Sequence, residues 1–360
     1  MKTRASLFRD VGRPLQTVEV DLEEPRAGEV LVRMAAVGVC GSDLHVLKGE
    51  WPRPTPMVLG HEGAGVVEAV GEGVEAPAVG DRVVICWAPA CGECPSCRRG
   101  RPGACEPLRA AIGAGTLLDG TTRLSYEGET VYRMTATGCL AERVVVQANA
   151  ALPLGDGISL EEAALLGCAA LTGVGAVRYA STLGPGQSAL VVGAGGVGQF
   201  VVQAARLTGA AAIVCVDPNE ARLERAQALG ATVVGHPDEL SSLLVGGADV
   251  AFDAVGLPET SGLALRHTRS GGLCVLVGMP AAGGRLDLDP FDFTNREKTL
   301  TGTIYGSEDP AVALPQLLED VRGGRLELHS LLGPSYPLEA ADEAFRASLA
   351  GSPGRVLVIP

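Results

Sequence analysis

The sequence predicts an α/β protein of two domains, one β-rich and one built on a doubly wound parallel sheet. Three observations predict it. The chain has 360 residues, beyond the size at which one hydrophobic core stops growing, and its 46% hydrophobic composition can fill two cores. Short alternating strands broken by turn signals dominate the stretch from Gly28 to about Val146. After Leu154, continuous apolar strands alternate with amphipathic helices, the pattern of a parallel sheet covered on its faces.

In the first stretch, strands are expected at residues 29–37, 63–70, 81–85 and 140–146, separated by long loops and turns such as Val79-Gly80-Asp81. In the second, a strand at 188–192 leads into a helix ending near Thr208, followed by a strand at 212–216 and a helix at 220–229. The alternation runs on through 248–252, 273–278 and 300–303, enough for a sheet of about six strands. Beyond Tyr305 it stops. A helix near 311–322 and a closing strand at 355–359 fit neither half and are free to return to the first domain. There are no internal repeats and no low-complexity segments.

The formal net charge of -13 works against any polyanionic partner, because neutralising phosphates takes a clustered excess of Lys and Arg. No nucleic acid is expected. The basic residues between Met1 and Asp10 precede no apolar run, and apolar stretches elsewhere are broken by Gly, Pro or charge short of membrane length, so no membrane is expected and the chain reads as soluble and cytoplasmic. Ten cysteines in a reducing compartment point to metal binding or chemistry rather than disulfides.

Gly193-Ala194-Gly195-Gly196-Val197-Gly198 follows an apolar strand directly and opens a helix, the context that a dinucleotide-binding loop requires. The first Gly permits the turn, the second lets backbone N–H groups approach a pyrophosphate, and the third lets helix and strand pack closely. The helix N-terminus adds partial positive charge. Asp217 ends the next strand, nineteen residues after Gly198, where a carboxylate accepts ribose hydroxyls and repels a 2′-phosphate, so NAD is expected over NADP. The competing reading of Asp217 is a cap for the helix beginning near Glu220.

Cys91, Cys94, Cys97 and Cys105 fall within fifteen residues on a loop rich in Gly and Pro, a layout suited to a closed tetrahedral zinc site. Four thiolates leave no position for substrate, so this site is structural. A catalytic zinc needs about three protein ligands and an open position, and those ligands come from distant parts of a chain. Cys40, His61 and Cys168, each in a Gly-containing context, are candidates. Taken singly, each reads as a buried Cys or a hydrogen-bonded His before it reads as a ligand.

Taken together, these stretches closely resemble the zinc-dependent medium-chain alcohol dehydrogenases, in the branch of dimeric alcohol dehydrogenases and formaldehyde dehydrogenases. The match runs from about Gly28 to the C-terminus with the motifs in the family's order. The resemblance implies a GroES-like β-rich catalytic domain of residues 1–169 and 305–360, a Rossmann NAD-binding domain of residues 170–304, and a substrate cleft between them. It implies two zinc ions per chain: a catalytic ion on Cys40, His61 and Cys168, and a structural ion on the four-cysteine lobe. It assigns Arg355, in Ser352-Pro353-Gly354-Arg355, to the cofactor pyrophosphate, and adds Thr172, Val197, Arg222 and Val277 to the cofactor contacts.

The implied chemistry is hydride transfer from an alcohol to NAD. Zinc lowers the pKa of a coordinated hydroxyl group by many units. Ser42 then passes the proton by way of the cofactor ribose to His45. Asp43 and Glu62, the latter counted with the metal site, orient ligands or adjust the charge at zinc.

Departures from the family pattern bear on substrate. Gly41 replaces a basic residue that many relatives place on the pyrophosphate. Trp51 stands where glutathione-dependent formaldehyde dehydrogenases carry an acidic residue, although Arg109 matches a basic position of that subgroup. Pocket places correspond to Trp87, Ala110 and Met134, with Trp51 at the entrance. An apolar or aromatic primary alcohol is the first expectation, and a thiol adduct of formaldehyde is the rival. A catalytically silent dinucleotide-binding protein is a third reading, opposed by the retained ligands and Ser42. The long segment between Cys105 and Cys168 resembles the dimeric branch, so a homodimer joined through residues 300–303 is expected, with a tetramer as the alternative.

Overall fold

A computed structural model describes residues 1–360. The chain forms two compact units, one of Met1–Cys168, Asp309–Leu318 and Leu328–Pro360, the other of Ala169–Glu308 and Glu319–Glu327.

The first unit opens with an antiparallel pair, β1 (Lys2–Phe8) and β2 (Gln16–Leu22), in register Thr3 with Val20 and Ala5 with Val18. β3 (Glu29–Gly38) is the long central strand. β4 (Met57–Val58), β5 (Glu62–Val70) and β6 (Arg82–Ile85) follow, then the short strands β7 (Leu124–Tyr126), β8 (Glu129–Thr130) and β9 (Tyr132–Arg133), then β10 (Arg143–Gln147) and β11 (Ala151–Pro153). They form two sheets, ordered β8-β7-β2-β1-β4-β9 and β11-β6-β5-β3, with β10 also pairing β3. Inward-facing Leu7, Val20, Val32, Met57, Ile85 and Val144 share one core, the alternation expected of sheets with a single buried face.

The second unit holds six strands: β12 (Ser188–Val192), β13 (Ala212–Val216), β14 (Val233–Gly235), β15 (Ala248–Asp253), β16 (Thr268–Leu276) and β17 (Thr299–Gly302). Their order is β14-β13-β12-β15-β16-β17 and every pairing is parallel. This is the doubly wound sheet, and the strand order reverses between β12 and β15, where such sheets open a ligand crevice at their carboxyl ends. β14 is the strand that the sequence did not suggest: its three half-buried residues are too few to show a period.

The tail supplies β18 (Leu332–Pro337) and β19 (Arg355–Ile359) to the first unit, where β19 runs antiparallel to β3 through Leu357 opposite Gly38 and Val358 opposite Val37. Helix Ala341–Leu349 packs Ala344 and Phe345 into the same core. One reading of the sequence is corrected. The helical run Leu160–Arg178 does have the length and apolar composition to cross a membrane, but 83% of its apolar window is buried inside the protein. It is a core helix, rich in Ala and Leu because it is enclosed by protein on all sides.

Candidate active site

Cys40 lies just past the end of β3 in extended conformation and immediately precedes the helix Gly41–Leu47. Asp43, wholly buried on the first turn of that helix, holds three backbone or ring nitrogens. Its carboxylate accepts from Cys40 N at 3.0 Å and Gly60 N at 2.9 Å, and lies 3.3 Å from His61 Nδ1. One carboxylate therefore fixes both the Cys40 segment and the His61 imidazole. With Nδ1 engaged, Nε2 is the nitrogen left for an ion.

Cys168 arrives from another part of the chain, on a π-helical turn, Leu166–Ala170, within the buried helical run. Such turns displace one residue from the helical ladder and recur at functional sites. Gly167 is needed there, since a Cβ would lie 2.3 Å from Ile85 O on β6. The result is that the ligand atoms of Cys40, His61, Glu62 and Cys168, all buried, lie within 4.8 Å of one another. Two thiols, an imidazole and a carboxylate at that spacing form a donor set that fits tetrahedral zinc. Neither carboxylate oxygen of Glu62 has a hydrogen-bond donor, so the buried carboxylate also suits a nearby cation.

The hydrogen bond from Cys168, with His61 and Arg355 nearby, holds the Cys40 thiol well below its usual range. The same hydrogen bond, together with burial, pushes Cys168 well above it. Burial opposes charge on His61, yet the Asp43 carboxylate and Cys40 outweigh it and raise the imidazole. Burial pushes Glu62 up to about 8 against the pull of Arg355. Arg355 Nε lies 3.0 Å from Glu62 Oε2 as a close ion contact without hydrogen-bond alignment, and its Nη1 donates to Val39 O at 2.9 Å. Gly38 makes room for this pair, because a Cβ there would meet Glu62 Oε2 at 2.4 Å.

Cys91, Cys94, Cys97 and Cys105 form the second cluster. Cys94 Sγ lies 3.5 Å and Cys91 Sγ 4.0 Å from Cys97 Sγ. A tetrahedron of sulfurs at about 2.3 Å from zinc has edges of about 3.8 Å, so the thiols are already spaced for that ion. Backbone N–H groups of Glu93 and Cys94 bring Cys91 down to about 7, while burial pushes Cys97 up to about 12. All ten cysteines are free thiols.

Ser42 and His45 lie on the helix after Cys40, both half-buried. His45 Nδ1 contacts the Glu50 carboxylate, and its ring stacks on Trp51 with centroids 4.5 Å apart and planes 18° from parallel. Glu50 escaped the sequence reading because a carboxylate five residues from a histidine carries no signal until the helix turns back. Met134 is buried and Trp87 half-buried, whereas Ala110 and Arg109 are exposed on the helix Glu106–Ala114.

In the second unit, Gly193 follows β12 with φ of 95°, and Gly195 caps the helix Gly196–Leu207. A Cβ on Gly198 would sit 1.8 Å from Gly193 O, so only glycine lets helix and strand pack here, while Gly195 faces open space. Asp217 is buried and accepts from Ala194 N at 2.8 Å and Asn219 N at 2.9 Å. It does not cap the next helix. Asn219 does, accepting from Arg222 N at 3.1 Å. Gln199 was also missed: its buried amide donates to Ala194 O and Arg222 O, both at 2.9 Å, and ties the glycine loop to the neighbouring helix. Thr172 and Val277 are buried in this unit, and Arg222 is half-buried.

Comparison with known proteins adds the following. Residues 26–156 match the alcohol dehydrogenase GroES-like domain, and residues 196–320 match the zinc-binding dehydrogenase family. The chain is 36% identical over 355 residues to an S-(hydroxymethyl)glutathione dehydrogenase of Synechocystis sp., covering 96% of each chain. Among solved structures it resembles an alcohol dehydrogenase zinc-binding domain protein of Burkholderia ambifaria, at a TM-score of 0.94 and 34% identity, covering 100% of this chain and 99% of that one. It also resembles benzyl alcohol dehydrogenase of Acinetobacter calcoaceticus, at a TM-score of 0.93 and 29% identity with the same coverage.

Proposed function

The chain belongs to the zinc-dependent medium-chain alcohol dehydrogenases, and from that premise we propose that it interconverts an apolar or aromatic primary alcohol and its aldehyde with NAD. The observation that carries the substrate class is Trp51, an indole stacked on His45 where a thiol-adduct dehydrogenase would need a charged partner. An apolar wall beside the imidazole favours a substrate whose remote part is itself apolar.

Cys40, His61 and Cys168 hold the catalytic zinc, with Glu62 as a further donor, and the four-cysteine lobe holds the structural one. When bound, zinc supplies Lewis acidity to the alcohol oxygen and NAD supplies the hydride acceptor. Asp43 orients His61 through Nδ1 and keeps Cys40 in place through its amide. Ser42 Oγ takes the hydroxyl proton and His45 releases it to solvent, with Glu50 fixing the imidazole through Nδ1. Gly193, Gly195, Gly196, Val197 and Gly198 cradle the pyrophosphate at the helix N-terminus, and Asp217 receives the ribose hydroxyls. Arg355, Arg222, Thr172 and Val277 complete the cofactor contacts. β17 is one of the two edge strands of the parallel sheet, and we place a homodimer contact there. Ten free thiols agree with a cytoplasmic setting.

A specific observation favours a second reading. The relative from Synechocystis is a dehydrogenase of a glutathione adduct, so formaldehyde bound as a thiol adduct is the alternative substrate. Steady-state assays with NAD decide between them. Turnover of benzyl alcohol without thiol, together with formaldehyde turnover that added glutathione does not raise, supports the first reading. Formaldehyde turnover that depends on glutathione and exceeds that of benzyl alcohol overturns it.

A further inference from the structure

Arg133, at the end of β9, is the bulkiest side chain wholly withdrawn from solvent, and no carboxylate pairs with its guanidinium. A buried cation without a counter-ion is costly, and burial brings this one down to about 10. Its hydrogen bonds go to backbone instead. Nη1 donates to Val145 O on β10 at 2.7 Å, and Nη2 donates to Thr137 O at 2.8 Å.

Thr137 closes an unusual turn. Thr135 (φ 51°, ψ 36°) and Ala136 (φ 58°) both occupy the left-handed region, which residues other than glycine avoid and which a β-branched residue tolerates worst. Met134 O gathers the turn by accepting from Thr137 N, Gly138 N and Thr137 Oγ1, at 2.9, 3.0 and 3.1 Å. The exit of the turn is stitched to the segment that carries His61. Cys139 N donates to Gly60 O at 2.8 Å, Leu140 N donates to Leu59 O at 2.9 Å, and Thr137 Oγ1 reaches Gly60 O at 3.4 Å. Gly60 N is in turn held by Asp43, the carboxylate beside His61.

We propose that Arg133 is a positioning residue for the catalytic centre: its guanidinium clamps the left-handed turn between β10 and the Leu59–Gly60 segment, fixing Met134 and the backbone that presents His61. The assignment of His61 as a ligand and Met134 as a pocket residue rests on the function proposed above. A guanidinium suits the task because its rigid fork can serve two carbonyls from different segments at once, which an ammonium on a flexible stem does poorly.

The test uses the full-length, zinc-loaded enzyme and the variants Arg133→Met and Arg133→Lys. For Arg133→Met, KM for benzyl alcohol rises about tenfold or more while KM for ethanol changes by less than about threefold, since a loosened wall affects the larger substrate first. The same variant loses catalytic metal to a chelator about tenfold faster, and its cobalt-substituted form shows a shifted visible absorption band. Arg133→Lys falls between wild type and Arg133→Met. Arg133→Met that lowers only the melting temperature, with the KM ratio, metal release and cobalt band unchanged, overturns the proposal. Should Arg133→Met fail to fold, Arg133→Lys, whose ammonium cannot serve both carbonyls as the planar fork does, shifts the same readouts in the same direction; wild-type values in that variant overturn the proposal. If the wild-type enzyme oxidises neither alcohol, the function reading fails on its own, and metal release with the cobalt band decides the role of Arg133.

Discussion

Arg355 Nε stands 3.0 Å from Glu62 Oε2, joining the last strand of the chain to the strand that begins beside His61. Glu62 is fully buried and its carboxyl is pushed up to about 8, so above that pH the contact is an ion pair without solvent to share the charge. Removing one partner leaves the other desolvated and unpaired, which costs about 3 kcal/mol or more. Arg355→Met is therefore expected to destabilise the metal-loaded chain by that order in chemical denaturation at pH 9, where Glu62 is ionised. The double variant Arg355→Met/Glu62→Gln regains part of the loss, because the stranded charge is gone. A single variant within about 0.5 kcal/mol of wild type refutes the pair as a source of stability.

The four-cysteine lobe has little apolar content to hold it, and the thiols of Cys94 and Cys97 already stand 3.5 Å apart. Cys97→Ala leaves a three-sulfur site. Bound zinc is expected to fall from about two to about one per chain, as measured by atomic absorption, and limited proteolysis to shift to the 91–105 loop. Cofactor affinity stays within about twofold, since the glycine loop lies in the other unit. Unchanged zinc content in this variant contradicts the assignment of the lobe.

Much of this arrangement was legible in the sequence, for identifiable reasons. The strands at 188–192 and 212–216 appear as expected because central parallel strands are apolar on both faces and so read as unbroken runs. The Cys91–Cys105 lobe was visible because its ligands are neighbours in the chain. The convergence of Cys40, His61 and Cys168 was not visible from spacing, since it depends on the Asp43 carboxylate and on a π-turn that no periodicity announces; it came from resemblance alone. β1 and β2 were missed because their outward faces carry Lys2, Arg4, Glu19 and Asp21, which dilute the apolar signal. Arg133 was missed for the opposite reason: an arginine in sequence reads as surface, and only the fold shows it enclosed.

Asp217 uses one oxygen on Ala194 N and the other on Asn219 N, so it shapes the glycine loop in addition to the ribose contact proposed for it. Asp217→Gly removes both functions. Affinity for NAD is expected to fall about tenfold or more and affinity for NADP to fall less, because the repulsion of a 2′-phosphate disappears with the carboxylate. Fluorescence titration with the two reduced cofactors measures the ratio. An unchanged ratio refutes a role for Asp217 in cofactor choice.

Cys274 lies within β16, where burial pushes its thiol up to about 12. In the unfolded chain the same thiol ionises near about 8.5. Above that value the unfolded state loses the proton first, so it binds fewer protons than the folded state and stability falls as pH rises from about 8.5 towards 12. Cys274→Ala is less stable at neutral pH for want of the buried sulfur, yet its stability declines less steeply over that alkaline range. Chemical denaturation at pH 8 and pH 10 measures both slopes. Parallel slopes sink the prediction, as does modification of Cys274 by a thiol reagent in the native protein at pH 8.

The contact between His45 Nδ1 and Glu50 fixes which imidazole nitrogen remains to exchange a proton, and the stacked Trp51 holds the ring plane. If Ser42 and His45 carry the hydroxyl proton, damage to either end should appear in turnover rather than in binding. Ser42→Ala is expected to lower kcat by about a hundredfold, within the range general acid–base groups contribute, while the dissociation constant for NAD stays within about twofold. Glu50→Gln keeps a group able to accept from Nδ1 but removes its charge, so kcat falls by a smaller factor than in Ser42→Ala. Stopped-flow measurement of NADH formation separates the proton and hydride step from product release. A Ser42→Ala enzyme whose burst rate equals wild type at every pH between 6 and 9 would show that the proton leaves by another route.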